Sequence, residues 1–172
     1  MTSLSTDVLT LTHVAISLIA IFSGLAVVMQ MLKNTMSSGW TGVFLATTLL
    51  TSLTGFVFFQ PQNPPTPAQL TGVVALLALV PTLYGLYVKH LAGAWRLVYL
   101  IGTVISLYLN VFALVVQLFL KVPALHSGNP PGGPAFGAVQ GLVLALFIWA
   151  GWQAAKRFRP LVAVAIPPSS PR

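Results

Sequence analysis

The chain has 172 residues, 56% of them hydrophobic and only 5% charged, with eight Lys and Arg against a single acidic residue. A water-exposed surface needs about 25% charged residues, so lipid is the solvent this composition fits. With no cysteine and Asp7 as the only carboxylate side chain, several classes are excluded. These are disulfides, thiolate metal sites, cysteine nucleophiles, paired-carboxylate catalysis, carboxylate Ca²⁺ or Mg²⁺ sites and proton relays through buried acids.

A membrane-spanning helix needs about 20 mostly apolar residues. The first such run is 8–32, in which His13, Ser17, Ala20 and Gly24 share a face. No Lys or Arg precedes this run, and it is too long for a signal peptide, so a retained helix is expected. The second run is 40–59, with Thr47, Thr51 and Thr54 on one side. A proline-rich break, "QPQNPPTPAQ", leads to the third run at 69–88, where Pro81 removes a backbone donor and predicts a kink. After the short turn "KHLAGA" comes the fourth run, 95–120, and after "KVPALHSGNPPGGP" the fifth, 135–155. Residues 160–172, rich in proline and serine, read as a loose tail behind a single membrane domain over 1–159.

The expected fold is therefore all-α, a bundle of five transmembrane helices. Five spans place Lys33, Lys89, Arg96, Lys156, Arg157, Arg159 and Arg172 on one side and Lys121 alone on the other. Lys and Arg accumulate in cytoplasmic loops. The N-terminus is thus expected outside and the C-terminus in the cytoplasm. The same bias accounts for the net charge of +7 without nucleic acid as a partner.

The fourth run poses the sharpest chemical question. Asn110 and Gln117 lie seven residues apart among Leu, Val, Ile and Phe. A seven-residue frame adds Tyr99, Thr103, Ser106 and Ala113 to their stripe. An unpaired amide in hydrocarbon costs several kcal/mol, so this stripe is expected to face protein. In the fifth run Gly137, Gly141 and Ala145 recur every four residues, and "GAVQG" is a GxxxG pattern of the kind that packs helices closely. Gly24, Thr103, Ser106, Gly137 and Gly141 are therefore the expected packing positions.

From the helical rise of about 1.5 Å per residue, His13, Gln117 and Gln140 fall at similar depth in the outer leaflet. Asn110 falls near the midplane, and Ser17 one turn below His13. His13, Ser17, Asn110, Gln117 and Gln140 make the candidate buried polar cluster. His13 and His126 are the only candidate metal ligands on that side, and His90 lies at the opposite end.

"LTHVAISLIAIFSGL", "GWTGVFLATTLLTSLTGF", "AGAWRLVYLIGTVISLYLNVFALVVQLFLKVPAL" and "KRFRP" resemble a group of small polytopic inner-membrane proteins of proteobacteria. The resemblance covers about residues 9–160, with "LYLNVFALVVQLFLKVPAL" its most specific part, and the "HSGNPPGG" loop departs from it. It implies a bacterial inner membrane and brings no catalytic residues.

The first functional expectation is a non-enzymatic accessory or scaffold component of a membrane assembly, with no cofactor, partnered by lipid and by another membrane protein or a second copy. The second is a small redox module holding haem or quinone near His13, Gln117 and Gln140. The third is a transporter or channel for a neutral solute.

Overall fold

The computed structural model describes residues 3–58, 67–126, 130 and 132–159, with side chains from residue 8 onward and excluding 56–58, 67–68 and 126. Six α-helices account for nearly all of them: α1 (Ser3–Leu32), α2 (Ser38–Phe58), α3 (Pro67–Leu83), α4 (Trp95–Lys121), the one-turn α5 (Pro123–His126) and α6 (Pro134–Arg157). The described residues contain no strand. The proline-rich break at 59–66, most of the loop before α6, and the tail from 160 lie outside the described residues.

Among the described residues, four segments are long and apolar enough to cross a membrane: Val8–Leu32, Gln69–Val88, Trp95–Lys121 and Pro134–Arg157. The remaining long helix, α2, is rich in hydroxyl side chains, among them Thr41, Thr47, Thr48, Thr51, Ser52 and Thr54. The surface of the bundle is hydrophobic. Phe22, Leu77, Val80, Leu142, Ile148 and Trp149 are all exposed, the reverse of a surface built for water.

Helix α4 is the axis of the bundle and touches α1, α2, α3 and α6. The other four surround it in the order α3, α2, α1, α6, each touching the next. The ring stays open, because no contact joins α3 to α6 among the described residues. The core follows from this geometry. Val27, Val28 and Met31 of α1, Phe44 and Leu45 of α2, Leu79 of α3 and Tyr99, Leu100 and Leu107 of α4 form one buried cluster with Ala154 and Phe158.

Two glycines set how closely the helices approach. A Cβ on Gly24 would stand 2.6 Å from Leu107 and 2.7 Å from the Phe44 ring. On Gly102 it would overlap the Thr82 hydroxyl and stand 3.0 Å from the Ala78 carbonyl oxygen. Side chains of any size at these positions would force α1 off α2 and α4, and α3 off α4.

The helix runs through Pro81 and changes form one turn later. Tyr84–Val88 is a π-helical turn, closed by Lys89 N–H donating to the Tyr84 carbonyl at 3.0 Å. The chain then reverses through left-handed residues at His90 (φ 48°), Leu91 (φ 60°) and Gly93 (φ 54°). Trp95 packs edge-on against Tyr84, with ring centroids 5.0 Å apart, and closes the α3–α4 turn. The irregularity expected at Pro81 is thus accompanied by a wider helical turn that begins three residues later.

Candidate functional site

The polar residues of the interior are held by neighbouring helices. The His13 ring lies 2.9 Å, Nδ1 to Oγ1, from Thr54 of α2. The Thr54 hydroxyl also lies 2.7 Å from the Leu50 carbonyl of its own helix, to which it can donate. Ser17 donates to the His13 carbonyl at 2.7 Å, within its own helix. This is the usual way a hydroxyl is satisfied without water.

Asn110 Nδ2 donates to Thr48 Oγ1 of α2 at 3.2 Å. Deeper along the same two helices, the Tyr99 and Thr41 hydroxyls lie 3.5 Å apart. The run of α2 and α4 is parallel here, and Thr41, Thr48 and Ser52 are buried along the facing side. Thr103 and Ser106 of α4 are also fully buried. The Ser106 hydroxyl has no hydrogen-bond partner among the described residues.

Gln140 is buried on α6, and its Nε2 donates to the Phe112 carbonyl of α4 at 3.2 Å. Its Oε1 is unpartnered among the described residues. Gln117 is exposed. It therefore stands outside the buried set expected from its seven-residue spacing to Asn110.

Two physical reasons put it there. A straight α-helix drifts by about 20° per heptad, so a stripe that faces the core at Thr103 rotates outward two heptads later. In addition, α4 has 27 residues, which is about 40 Å and longer than a hydrocarbon layer of about 30 Å. Gln117 lies in its final turn, next to Lys121, where an amide can meet polar surroundings. Of the three residues expected around a haem or quinone, His13 and Gln140 are hydrogen-bonded to neighbouring helices and Gln117 is exposed. Among the described residues no group of three or more His, Asp or Glu side chains comes together. The side chains of Asp7 and His126 lie outside them.

The expected packing glycines also divide. Gly24 is enclosed, whereas Gly137 and Gly141 are exposed and would meet nothing within 4 Å. "GAVQG" therefore does not join α6 to its own bundle. Gln140, between the two glycines, is the residue of that turn that points inward.

Arg96 is a structural residue that the sequence reading used only as a charge. Its guanidinium donates to the carbonyls of Phe158 and, at 3.3 Å, of Ala155, at the end of α6. A cation at a helix C-terminus also meets the negative end of the helix dipole. Beside it, the Arg159 amide donates to Asn34 Oδ1 at 2.6 Å and the Ser37 amide to Gln30 Oε1 at 2.7 Å. These bonds tie the ends of α1 and α6 to the starts of α2 and α4. A basic residue directly after the Trp95 anchor was the available signal. Thr41 and Thr48, likewise seven residues apart, were the signal for the facing stripe on α2.

No family model, no curated protein and no solved structure matches this chain.

Proposed function

We propose that the chain is a non-enzymatic, multi-pass protein of a bacterial inner membrane that serves as an accessory or scaffold component of a membrane assembly. In this reading α2 crosses the membrane with the other four long helices, the N-terminus is outside and the C-terminus is cytoplasmic. The hydrogen bonds from α2 to both α1 and α4 favour a full crossing, since they hold it alongside them at Thr48 and Thr54. Its hydroxyls also return to their own helix, as Thr47 does to the Val43 carbonyl at 2.6 Å. The segregation of basic residues supports the orientation.

The single observation that carries the role is the division of labour among small and polar residues. Inside the bundle they join helices: His13 to Thr54, Asn110 to Thr48 and Gln140 to Phe112. On α6 the GxxxG face and its flanking aliphatic residues point away, with Gly137, Gly141 and Ala145 exposed. In a membrane such a face suits a second helix, because backbones can approach closely there.

The test is site-specific photocrosslinking in living cells from positions 138 and 145 of α6, with position 77 of α3 as control. A discrete protein adduct from α6 alone, either a second copy or a different polypeptide, is the expected result. Lipid adducts alone from every position would overturn the scaffold role. Reporter fusions after Arg159 and near Asn129 should read cytoplasm and periplasm; the reverse would overturn the orientation.

A further inference from the structure

The open side of the helix ring holds an apolar groove of about 270 Å³ between α4 and α6. Leu100, Val104 and Ile105 form one wall, and Phe147, Gly151 and Trp152 the other. Its existence follows from the sequence. Gly151 has no side chain, and a Cβ there would already touch Val104 at 3.4 Å. The missing contact between α3 and α6 leaves this flank of α4 bare. The groove runs along α6 for about two turns, roughly 12 Å. That is a slot for one chain and less than the usual volume of a pocket for a compact small molecule.

The basic end of α6 lies at one end of it. Lys156 Nζ sits 3.3 Å from the centroid of the Trp152 ring, which lines the groove. A contact of this kind holds an ammonium in place. Arg157 and Arg159 follow it and are exposed, but at 3.6 residues per turn Arg157 lies on the far side of α6 from the groove. Arg96, by contrast, is committed to the Phe158 and Ala155 carbonyls. The chain cannot neutralise this cluster itself. Its one acidic residue, Asp7, lies near the start of α1. The far end of that helix is tied to Arg159 through Asn34, about 40 Å away along the rise of α1.

We propose that this groove is a binding site for an anionic phospholipid. One acyl chain lies between α4 and α6, and the headgroup phosphate meets Lys156. Charge complementarity selects the headgroup, and the groove beside Gly151 selects the position. The proposal rests on the membrane placement and orientation above, but it needs no protein partner, so a failed search for crosslinked proteins leaves it standing.

The experiment is native mass spectrometry of the full chain released from nanodiscs made with equal amounts of phosphatidylglycerol and phosphatidylcholine of the same acyl chains. One basic residue near an anionic surface corresponds to about a fivefold preference for the anionic lipid. Lys156→Gln should abolish that preference. Gly151→Leu, which fills the groove, should remove the retained lipid of both kinds. Ile101→Trp, on the exposed rim, should do the same and serves if Gly151→Leu does not fold. Equal retention of the two lipids by the unaltered chain would overturn headgroup selection. Unchanged retention in a folded, groove-filled variant would show that the lipid binds elsewhere and overturn the site.

Discussion

Helices α4 and α6 carry similar cargo and use it in opposite ways. Both are long and apolar enough to cross a membrane, and both carry glycines and side-chain amides along that length. On α4 the small and polar residues face inward. Gly102 lies against Thr82 and Ala78, Thr103 and Ser106 are fully buried, and Asn110 reaches Thr48. On α6 the order is inverted. Gly137 and Gly141 face out, together with Leu142 and Ile148, and among the residues of this helix only Gln140 and Ala154 are buried. A small residue in a membrane helix is therefore a licence for close approach. Whether a neighbour takes it up depends on where the helix sits in the bundle. The central helix is contacted from four directions. The rim helix, next to the gap in the ring, is contacted from two.

Substitutions on the two helices test that contrast, and Gly102→Ala has the largest expected effect. The new methyl group meets the Thr82 side chain and the backbone of Ala78, and backbone cannot move aside. Overpacking of this kind costs about 1–3 kcal/mol, and this site belongs at the upper end of that range. Thermal unfolding in detergent should show a clear loss, and adding Thr82→Ala should restore part of it. Wild-type stability in the single variant would show that α3 and α4 do not approach at this point.

Gly24→Ala should cost less, about 1–2 kcal/mol. Its neighbours, Leu107 and Phe44, are both fully buried, but the atoms it meets belong to side chains and not to backbone. The same unfolding assay ranks the two glycines, and a Gly24 variant less stable than the Gly102 variant would reverse which interface is the tighter.

Asn110→Leu keeps the volume and removes the bond to Thr48. Interhelical hydrogen bonds in membranes average about 0.6 kcal/mol, with a maximum of about 1.7. A small loss of that size is expected, and a gain in stability would mean that the amide was not pairing the helices.

The smallest effects are expected on α6. Gly137→Ala and Gly141→Ala meet open space, so each should change monomer stability by no more than about 0.5 kcal/mol. If the face binds a partner helix, as proposed, the same variants should weaken the α6 photocrosslinks while leaving unfolding unchanged. A large loss of monomer stability would place this face inside the bundle.

How much of this was legible beforehand varied by level. The helices themselves were written in long apolar runs broken by "QPQNPPTPAQ", "KHLAGA" and "HSGNPPGG". Their ends moved by only a few residues, because polar termini and prolines mark them. The need of Asn110 for a partner followed from the cost of an unpaired amide. Its partner, Thr48, did not follow, since nothing local says that α2 runs beside α4. Gln117 shows the limit of extending a heptad along a straight helix, and Gln140 shows that depth alone does not bring side chains together.

Composition by itself determined the solvent and the chemistry left open, because too few charges and one acid permit neither a wet surface nor a carboxylate site. Periodicity determined the helices. Only the tertiary structure decided which faces are interior. The apolar run of a membrane helix has little contrast between its sides, since lipid and protein are nearly equally good company for Leu and Val. A stripe such as Gly137–Gly141 therefore reads the same whether it meets a helix or the bilayer. The distinction lies in the open ring of helices, a property of how the five long segments pack and not of any one of them.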